Sequence, residues 1–390
     1  MDKLRVAIAG LGRRAGWGVP AVLACADLEL VALIDVVPQC CQMYIQEFNL
    51  GAIPCFTSLQ SCIESVDFDV LAVFTPDGTH GELVVPALNA GKWVFVDKPL
   101  EITQDKLEQI IATDRRAGGR TFVGLNLRYA PAFAKARQLI EAGTIGQLLT
   151  IQQDEFYDGG RTYFRRWNRL RAHGGGLWIT KACHDFDIMY WMAGAQPLSV
   201  SASASLDYYL PKAEAALYCR DCKLEPSCPD RFNQPMYIDG LAGKFYATME
   251  KATGRKPDLC LYNSDKDTFD HGAALVSFAN RVIGTYTVNV VAGFSNRRLR
   301  VSGTKGTIDV DLGANEVTLL HRDPPRVEKV QVDSGEGGHG GADGCLMSAL
   351  SDFVRGRPTS LVRPLEAAVG VRMGLAAQQS CDQGCTIAIT

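Results

Sequence analysis

The chain has 390 residues, of which 47% are hydrophobic and 21% charged, with a formal net charge of −3. That length suits two domains of ordinary size, and that composition supplies a sizeable core. Near-neutral charge gives no electrostatic case for nucleic acid or an anionic membrane, and no run of about 18 apolar residues suggests a membrane span. The expected partner is a small molecule. A first strand is expected from Leu4, too early to leave room for a secretory leader. Thirteen cysteines scattered through expected strands and helices suit free thiols in a reducing cytoplasm better than a disulfide framework.

Residues 4–9 form a short apolar run that ends in glycine, the pattern of a strand buried on both faces. Gly10-Leu11-Gly12-Arg13-Arg14-Ala15 follows and opens a helical stretch. This is a dinucleotide fingerprint: Gly10 permits the tight turn, Gly12 lets backbone approach a pyrophosphate, and Ala15 keeps the helix close to the strand. A second strand over residues 28–34 ends at Asp35, about 20 residues further on, where an acidic side chain accepts hydrogen bonds from the adenosine ribose. Asp35 favours NAD, because a carboxylate repels a 2′-phosphate. Arg13 and Arg14 are each able to reach such a phosphate and keep NADP open.

Further strands are expected at residues 69–74, 93–96 and 121–124, separated by helical stretches at 59–65, 81–90 and 103–117. That alternation predicts a parallel sheet with right-handed crossovers over residues 1–125. Thr75-Pro76-Asp77-Gly78-Thr79-His80 falls at a strand-to-helix turn beside the cofactor crevice. Asp97-Lys98-Pro99 leaves the strand at 93–96 at its carboxyl end, where open α/β sheets bind ligands. After Gly124 the pattern changes. Asn126-Leu127-Arg128-Tyr129 precedes a helix to about residue 143, and a strand begins near Leu148.

From about Ser199 strands follow one another across short turns, including a hairpin of 273–279 and 282–291 around Asn280-Arg281. Residues 126–390 therefore read as an α+β domain with a large, mostly antiparallel open sheet. It closes with helical stretches at 345–355 and 364–380. A loop-like insertion spans about 210–266, and a glycine-rich stretch, 335–344, suits a lid or a linker. Within the insertion Cys219, Cys222 and Cys228 are spaced C-x2-C-x5-C. With a fourth ligand such as Cys260 or His271 they suit a structural zinc or an iron–sulfur cluster.

The ordered set of the fingerprint at Gly10, Asp35, Thr75-Pro76 to His80, Asp97-Lys98-Pro99, Asn126 to Tyr129, Gly174-Gly175-Gly176 with His184 and Asp187, and Ser302 to Thr307 resembles the glucose-fructose oxidoreductase, inositol dehydrogenase and rhizopine catabolism family. The resemblance spans nearly the whole chain. It implies an amino-terminal Rossmann domain, a second domain whose open sheet builds homodimers or homotetramers, and hydride transfer on sugars or cyclitols. It also implies that Lys98 lies in the active site, with Asp97 in place of the family's glutamate. Gly10, Gly12, Arg13, Arg14, Asp35, Thr75, Pro76, His80, Asp97, Lys98 and Asn126 are the expected cofactor contacts.

Alcohol oxidation needs a base near the hydroxyl, and His184 is the candidate; Lys98 would polarise the hydroxyl as a fixed charge. The family motif usually places an aspartate four residues before this histidine, and here Thr180 holds that place, followed by Lys181. On one continuous helix Thr180, His184 and Asp187 share a face, and Lys181 would bring positive charge beside the base. Arg128, Tyr129, Thr180, Lys181 and Asp187 are further substrate candidates. Arg165 and Trp167 suggest recognition of an anionic or glycan substrate, since arginine pairs with carboxylate and tryptophan stacks on sugar faces. An NAD(P)-dependent oxidoreductase acting on a sugar, sugar derivative or cyclitol is the leading expectation. The altered dyad keeps open a redox-neutral elimination, hydration or glycoside cleavage with tightly bound NAD, and a non-catalytic nucleotide sensor is the third reading.

Overall fold

The computed structural model describes residues 2–232, 235–333, 338 and 342–389. Strands β1 (Leu4–Ala9), β2 (Leu28–Ile34), β3 (Cys55–Phe56), β4 (Val70–Val73), β5 (Trp93–Asp97) and β6 (Thr121–Gly124) form one parallel sheet in the order β3-β2-β1-β4-β5-β6. Helices cover both faces, so β4 and β6 are buried at every position. The strand order reverses between β1 and β4, which opens a crevice at their carboxyl ends. The expected Rossmann architecture is therefore present, with a short β3 that two residues gave no pattern to reveal.

The second sheet has nine strands: β7 (Leu148–Phe156), β8 (Pro197–Ser205), β9 (His271–Phe278), β10 (Ile283–Asn289), β11 (Asn296–Gly303), β12 (Gly306–Asp311), β13 (Glu316–Arg322), β14 (Pro325–Val330) and β15 (Ile387–Ala388), in the order β14-β13-β12-β11-β7-β10-β9-β8-β15. Every pairing is antiparallel except β7 with β10. Strict alternation of exposed and buried residues along β9 marks a sheet with one packed and one open face. The hairpin turns at Asn280-Arg281 as expected, with Arg281 at φ +69°.

The last helix, Pro364–Gln383, ties the two sheets together. Ala367, Ala368 and Val371 enter the core under the first sheet, while Val369, Met373, Ala376 and Ala377 enter that of the second. Its small residues have a steric purpose. A Cβ on Gly370 would sit 2.9 Å from the Cys183 carbonyl oxygen, and one on Gly374 would sit 2.5 Å from that of Trp178. The helix Leu346–Val354 likewise returns to the first sheet, burying Leu346, Met347 and Leu350 there.

Two expectations change. The insertion is not a loop: it carries the 14-residue helix Gly240–Thr253 and its own buried centre, where Asp230 accepts from Arg161 Nε at 2.7 Å and from the Tyr262 hydroxyl at 2.5 Å. Most of the glycine-rich stretch at 335–344 lies outside the described residues. Among the described residues no helix is long and apolar enough to cross a membrane.

A buried charge cluster fastens the helix Cys183–Ala193 to the second sheet. Arg297 Nε on β11 lies 2.7 Å from Glu155 of β7 and 2.9 Å from Asp185, and the Tyr286 hydroxyl donates to Asp185 at 2.9 Å. Removing the arginine leaves Asp185 with neutral donors alone and Glu155 with Lys181, a loss of charge pairing that costs more than the intact cluster contributes. Arg297→Met is expected to lower stability by about 3–5 kcal/mol in urea unfolding. A loss below about 1 kcal/mol would mean that Glu155 and Asp185 find other partners.

Candidate active site

The crevice is built from three strand ends. Gly10 leaves β1 at φ +88°, and a Cβ there would meet Thr75 N at 2.7 Å, so only glycine lets this turn pass the loop after β4. Gly12 is the opposite case: a Cβ on it would meet nothing within 4 Å, which leaves open space over the turn that feeds the helix Ala15–Ala24. Asp35 closes β2 and accepts from Leu11 N at 2.7 Å and Val37 N at 2.8 Å. Burial raises its pKa against those two bonds. A switch-point crevice, an open glycine cradle at a helix amino terminus and an acid at the end of β2 fit a dinucleotide.

The loop after β4 is locked to the end of β5. His80 sets one ring nitrogen 2.7 Å from the Pro99 carbonyl and the other 3.1 Å from that of Thr75. Both oxygens of buried Glu101 take backbone N–H groups, from Gly81 and Ile102. His80 is therefore a brace under Lys98, and Thr75 serves in the Gly10 turn. Pro76 is exposed.

Lys98 crosses to the second domain. Its Nζ donates to the Thr180 carbonyl at 2.7 Å. Burial works against its charge, but Cys183, Tyr163, Asp77 and Asp97 around it outweigh that, and its pKa is raised. Gly175 and Gly176, at φ +71° and +79°, turn the chain into the helical turn Leu177–Thr180. The backbone then breaks at Lys181 before the helix Cys183–Ala193 starts. His184, 2% exposed, thus lies in the first turn of that helix, close in sequence to the Thr180 carbonyl that holds Lys98.

The break corrects the picture of one continuous helix face. Lys181 does not sit beside His184 as an i, i+3 neighbour: its Nζ pairs with Glu155 at 2.8 Å and lies 3.8 Å above the Tyr157 ring. Burial and the charge of Arg297 lower its pKa to about 8. Asp187 and Arg128 turn to each other in a two-pronged pair of 2.8 and 2.6 Å, and Arg128 also bonds Glu366 of the last helix. Neither has a free edge for substrate. The Tyr129 hydroxyl donates to the Ser360 carbonyl at 3.1 Å.

Arg14 does not reach for a 2′-phosphate. Its guanidinium bonds Asp97 at 3.0 Å and Asp343 at 3.2 Å, and stacks 4.2 Å over Trp17. Arg13 is half-buried with its charge toward Tyr237 of the insertion. Asn126 is fully buried and donates to Asp343 at 2.5 Å, while its Oδ1 lacks a hydrogen-bond partner. Its amide nitrogen thereby joins the group of Arg14, Asp97 and Asp343.

Arg165 packs against the insertion, with its Nε and Nη1 buried and without hydrogen-bond partners. It is buried, bonds the Asp230 carbonyl, and lies 5.2 Å from the Tyr237 ring. Trp167 is half-buried beneath Arg166, whose guanidinium lies 5.9 Å from its ring. The three insertion thiols do not converge. Cys219 accepts from Arg165, Cys222 accepts from Ala216 N at 3.5 Å, and Cys228 packs against the second core. Among the described residues no group of three or more histidine, cysteine, aspartate or glutamate side chains is arranged to hold a metal ion. All thirteen cysteines are free thiols.

Three contributors escaped sequence reasoning. Asp77, inside a turn singled out for its neighbours, is buried beside Lys98. Asp343 enters the crevice from 329 residues beyond Arg14, a distance at which no pattern signals contact. The insertion helix Gly240–Thr253 packs Leu241, Phe245 and Met249 against the first domain, with Leu241 2.8 Å from where a Cβ on Gly16 would be. Lys244 pairs with Glu47 there, on the Asp35 side of the crevice.

Comparison with known proteins agrees with this architecture. Residues 4–125 match the oxidoreductase family with an NAD-binding Rossmann fold, and residues 133–309 match the GFO/IDH/MocA C-terminal domain. YteT of Bacillus subtilis (strain 168) is 27% identical over 355 residues, covering 83% of this chain and 82% of that protein. Inositol 2-dehydrogenase of Rhizobium meliloti (strain 1021) is 29% identical over 206 residues, 52% of this chain and 59% of that protein. Among solved structures, levoglucosan dehydrogenase in complex with NADH and levoglucosan superposes at a TM-score of 0.78 with 17% identity over the whole of both chains. The WlbA dehydrogenase from Bordetella pertussis in complex with NADH and UDP-GlcNAcA gives 0.74 and 16%, over 100% of this chain and 98% of that one. A fingerprinted Rossmann sheet joined through a strand-end lysine to an open antiparallel sheet, matched by family models over both parts, makes this chain a member of the GFO/IDH/MocA oxidoreductase family.

Proposed function

We propose that this oxidoreductase uses NAD to move a hydride to or from a secondary hydroxyl carbon of a sugar, sugar derivative or cyclitol. The observation that carries the reading is the 2.7 Å bond from Lys98 Nζ to the Thr180 carbonyl. It holds a half-buried ammonium where the nucleotide crevice meets the histidine helix. When bound, the nicotinamide supplies the hydride acceptor or donor. Lys98 acts on the substrate oxygen as a preformed charge that stabilises a developing alkoxide. His184 takes or returns the hydroxyl proton. Asp35 supports NAD, and Arg14, spent on two aspartates, gives no pull toward NADP. The relatives named as inositol dehydrogenase and levoglucosan dehydrogenase support a polyol or sugar substrate.

One observation favours a second reading. The insertion helix Gly240–Thr253 closes over the first domain on its adenosine side, which suits a cofactor that is retained through turnover. A retained NAD would serve a net redox-neutral elimination, hydration or glycoside cleavage. The outer face of the second sheet leaves Leu149, Leu198, Leu275 and Ile283 exposed, and we expect a second copy of the chain to cover them. Light scattering that returns a monomer at micromolar concentration would exclude this.

A screen of polyols and sugars followed by NADH absorbance tests the main reading; consumption of glycosides without net NADH would favour the second. Lys98→Ala is expected to lower kcat by on the order of 10²–10³ with the circular dichroism spectrum retained. An unchanged rate removes Lys98 from the chemistry. Gly12→Val places its Cβ in open space in the free protein, so its melting temperature should stay near wild type. NADH affinity, read by fluorescence titration, should fall roughly tenfold or more. Equal affinity would mean the cofactor does not lie over this turn.

A further inference from the structure

Asp77 opens the turn that follows β4, and only 7% of it is exposed. Two of the other buried carboxylates near the crevice are bonded at both oxygens, Glu101 by two backbone N–H groups and Asp187 by Arg128, while Asp97 and Asp343 each bond Arg14. Asp77 is different, because its Oδ2 is buried with no hydrogen-bond partner. Leaving a buried carboxylate oxygen unpaired costs about 1–3 kcal/mol or more, and the capping position of this turn belongs to Pro76, not to Asp77. A structural role does not explain a carboxylate here.

Its surroundings do. Asp77 is faced by His80 from its own turn, Lys98 and Asp97 from the end of β5, Thr180 and Cys183 from the second domain, and Tyr163 from the segment after β7. Thr180 is the hub, since its hydroxyl lies toward Asp77 while its carbonyl accepts a hydrogen bond from Lys98 Nζ. Four titratable groups surround Lys98, namely Cys183, Tyr163, Asp77 and Asp97. Burial pushes the Cys183 thiol up to about 12 and raises the Tyr163 phenol, so both are neutral at neutral pH. Asp97 is already bonded to Arg14 at 3.0 Å. Asp77 is the carboxylate left for Lys98.

We propose that Asp77 is the positioning counter-charge of Lys98: its carboxylate keeps the half-buried ammonium charged and aimed at the reacting oxygen, and protonation of Asp77 releases that hold. What Lys98 acts on rests on the oxidoreductase reading above; the pairing of Asp77 with Lys98 does not. Burial raises the Asp77 pKa from 3.8 to about 6, with His80, Lys98 and the Thr180 hydroxyl pulling the other way and Asp97 adding to the rise. A carboxyl whose folded pKa lies above its unfolded value binds its proton more tightly in the folded state. Its contribution to stability is therefore full below the unfolded pKa and is lost as pH climbs through about 6.

The test compares wild type with Asp77→Asn and Asp77→Glu. In wild type kcat should fall as pH drops through about 6. Asp77→Asn should lower kcat roughly tenfold or more at about pH 8 and lose that limb, with NADH affinity within about twofold and partial rescue by Asp77→Glu. The melting-temperature difference between Asp77→Asn and wild type should grow in favour of the variant between about pH 4.5 and about pH 8. Carbon-13 NMR of labelled aspartate needs no substrate. It should find a carboxyl titrating near 6 that disappears in Asp77→Asn and titrates higher in Lys98→Met, because the lysine lowers it. An acidic limb unchanged in Asp77→Asn, or a carboxyl indifferent to Lys98→Met, overturns the proposal. If no polyol or sugar is ever turned over, the oxidoreductase reading fails while the NMR titration still decides the pairing.

Discussion

An ammonium largely withdrawn from water must have acceptors, and that requirement organises this molecule. Lys98 stands at the end of β5 and finds its hydrogen-bond acceptor in the second domain, at the Thr180 carbonyl. An ammonium has three donors and no rotational preference among them, so the position of its acceptor fixes where it points. The acceptor is in turn fixed by a pause in the chain, between the helical turn Leu177–Thr180 and the helix Cys183–Ala193. Glycines at 370 and 374 let the last helix press on the backbone on either side of that pause. The same helix shares its faces between the two cores, so the distance between strand end and histidine helix is set by packing rather than by a flexible linker.

Much of this was legible because the physics is local. A strand buried on both faces must be an apolar run, a tight turn at φ +88° must be glycine, and a half-open sheet must alternate. Those constraints act on residues adjacent in sequence, so the Rossmann order, the cradle at Gly12, Asp35 and the strand-end lysine could be read directly. Side-chain partners are a different matter. Arg14, Arg128 and Arg165 looked like cofactor or substrate ligands because residue type and neighbourhood cannot tell a free guanidinium from a paired one. Their partners, Asp343, Asp187 with Glu366, and the Asp230 carbonyl, lie between 59 and 329 residues away. The insertion was misread for a related reason. Leu241, Phe245 and Met249 have helical spacing, but the surface they cover belongs to the other domain. The thiols there pack against neighbours already supplied by arginine and backbone, which leaves the metal reading without a converged donor set.

Several basic side chains approach the histidine helix or its lead-in, and comparing Arg128, Lys181 and Lys98 separates scaffold from chemistry. Arg128 meets Asp187 in a two-pronged bond and has Glu366 behind it. Lys181 meets Glu155 at 2.8 Å, within a cluster whose second cation, Arg297, already has two carboxylates. In both cases the charge is neutralised at contact distance, so little field is left to act on a third group, and the pairs serve to hold the helix against its neighbours. Lys98 alone of the three is bonded to a neutral carbonyl, with Asp77 and Asp97 among the groups around it. Its positive charge is stabilised without being spent. A cation in that condition, in a crevice shaped for a dinucleotide, is the one able to change its interactions when a negative charge develops on a bound oxygen. The sequence contains all three cations in similar company; the difference between them lies in what each is paired with.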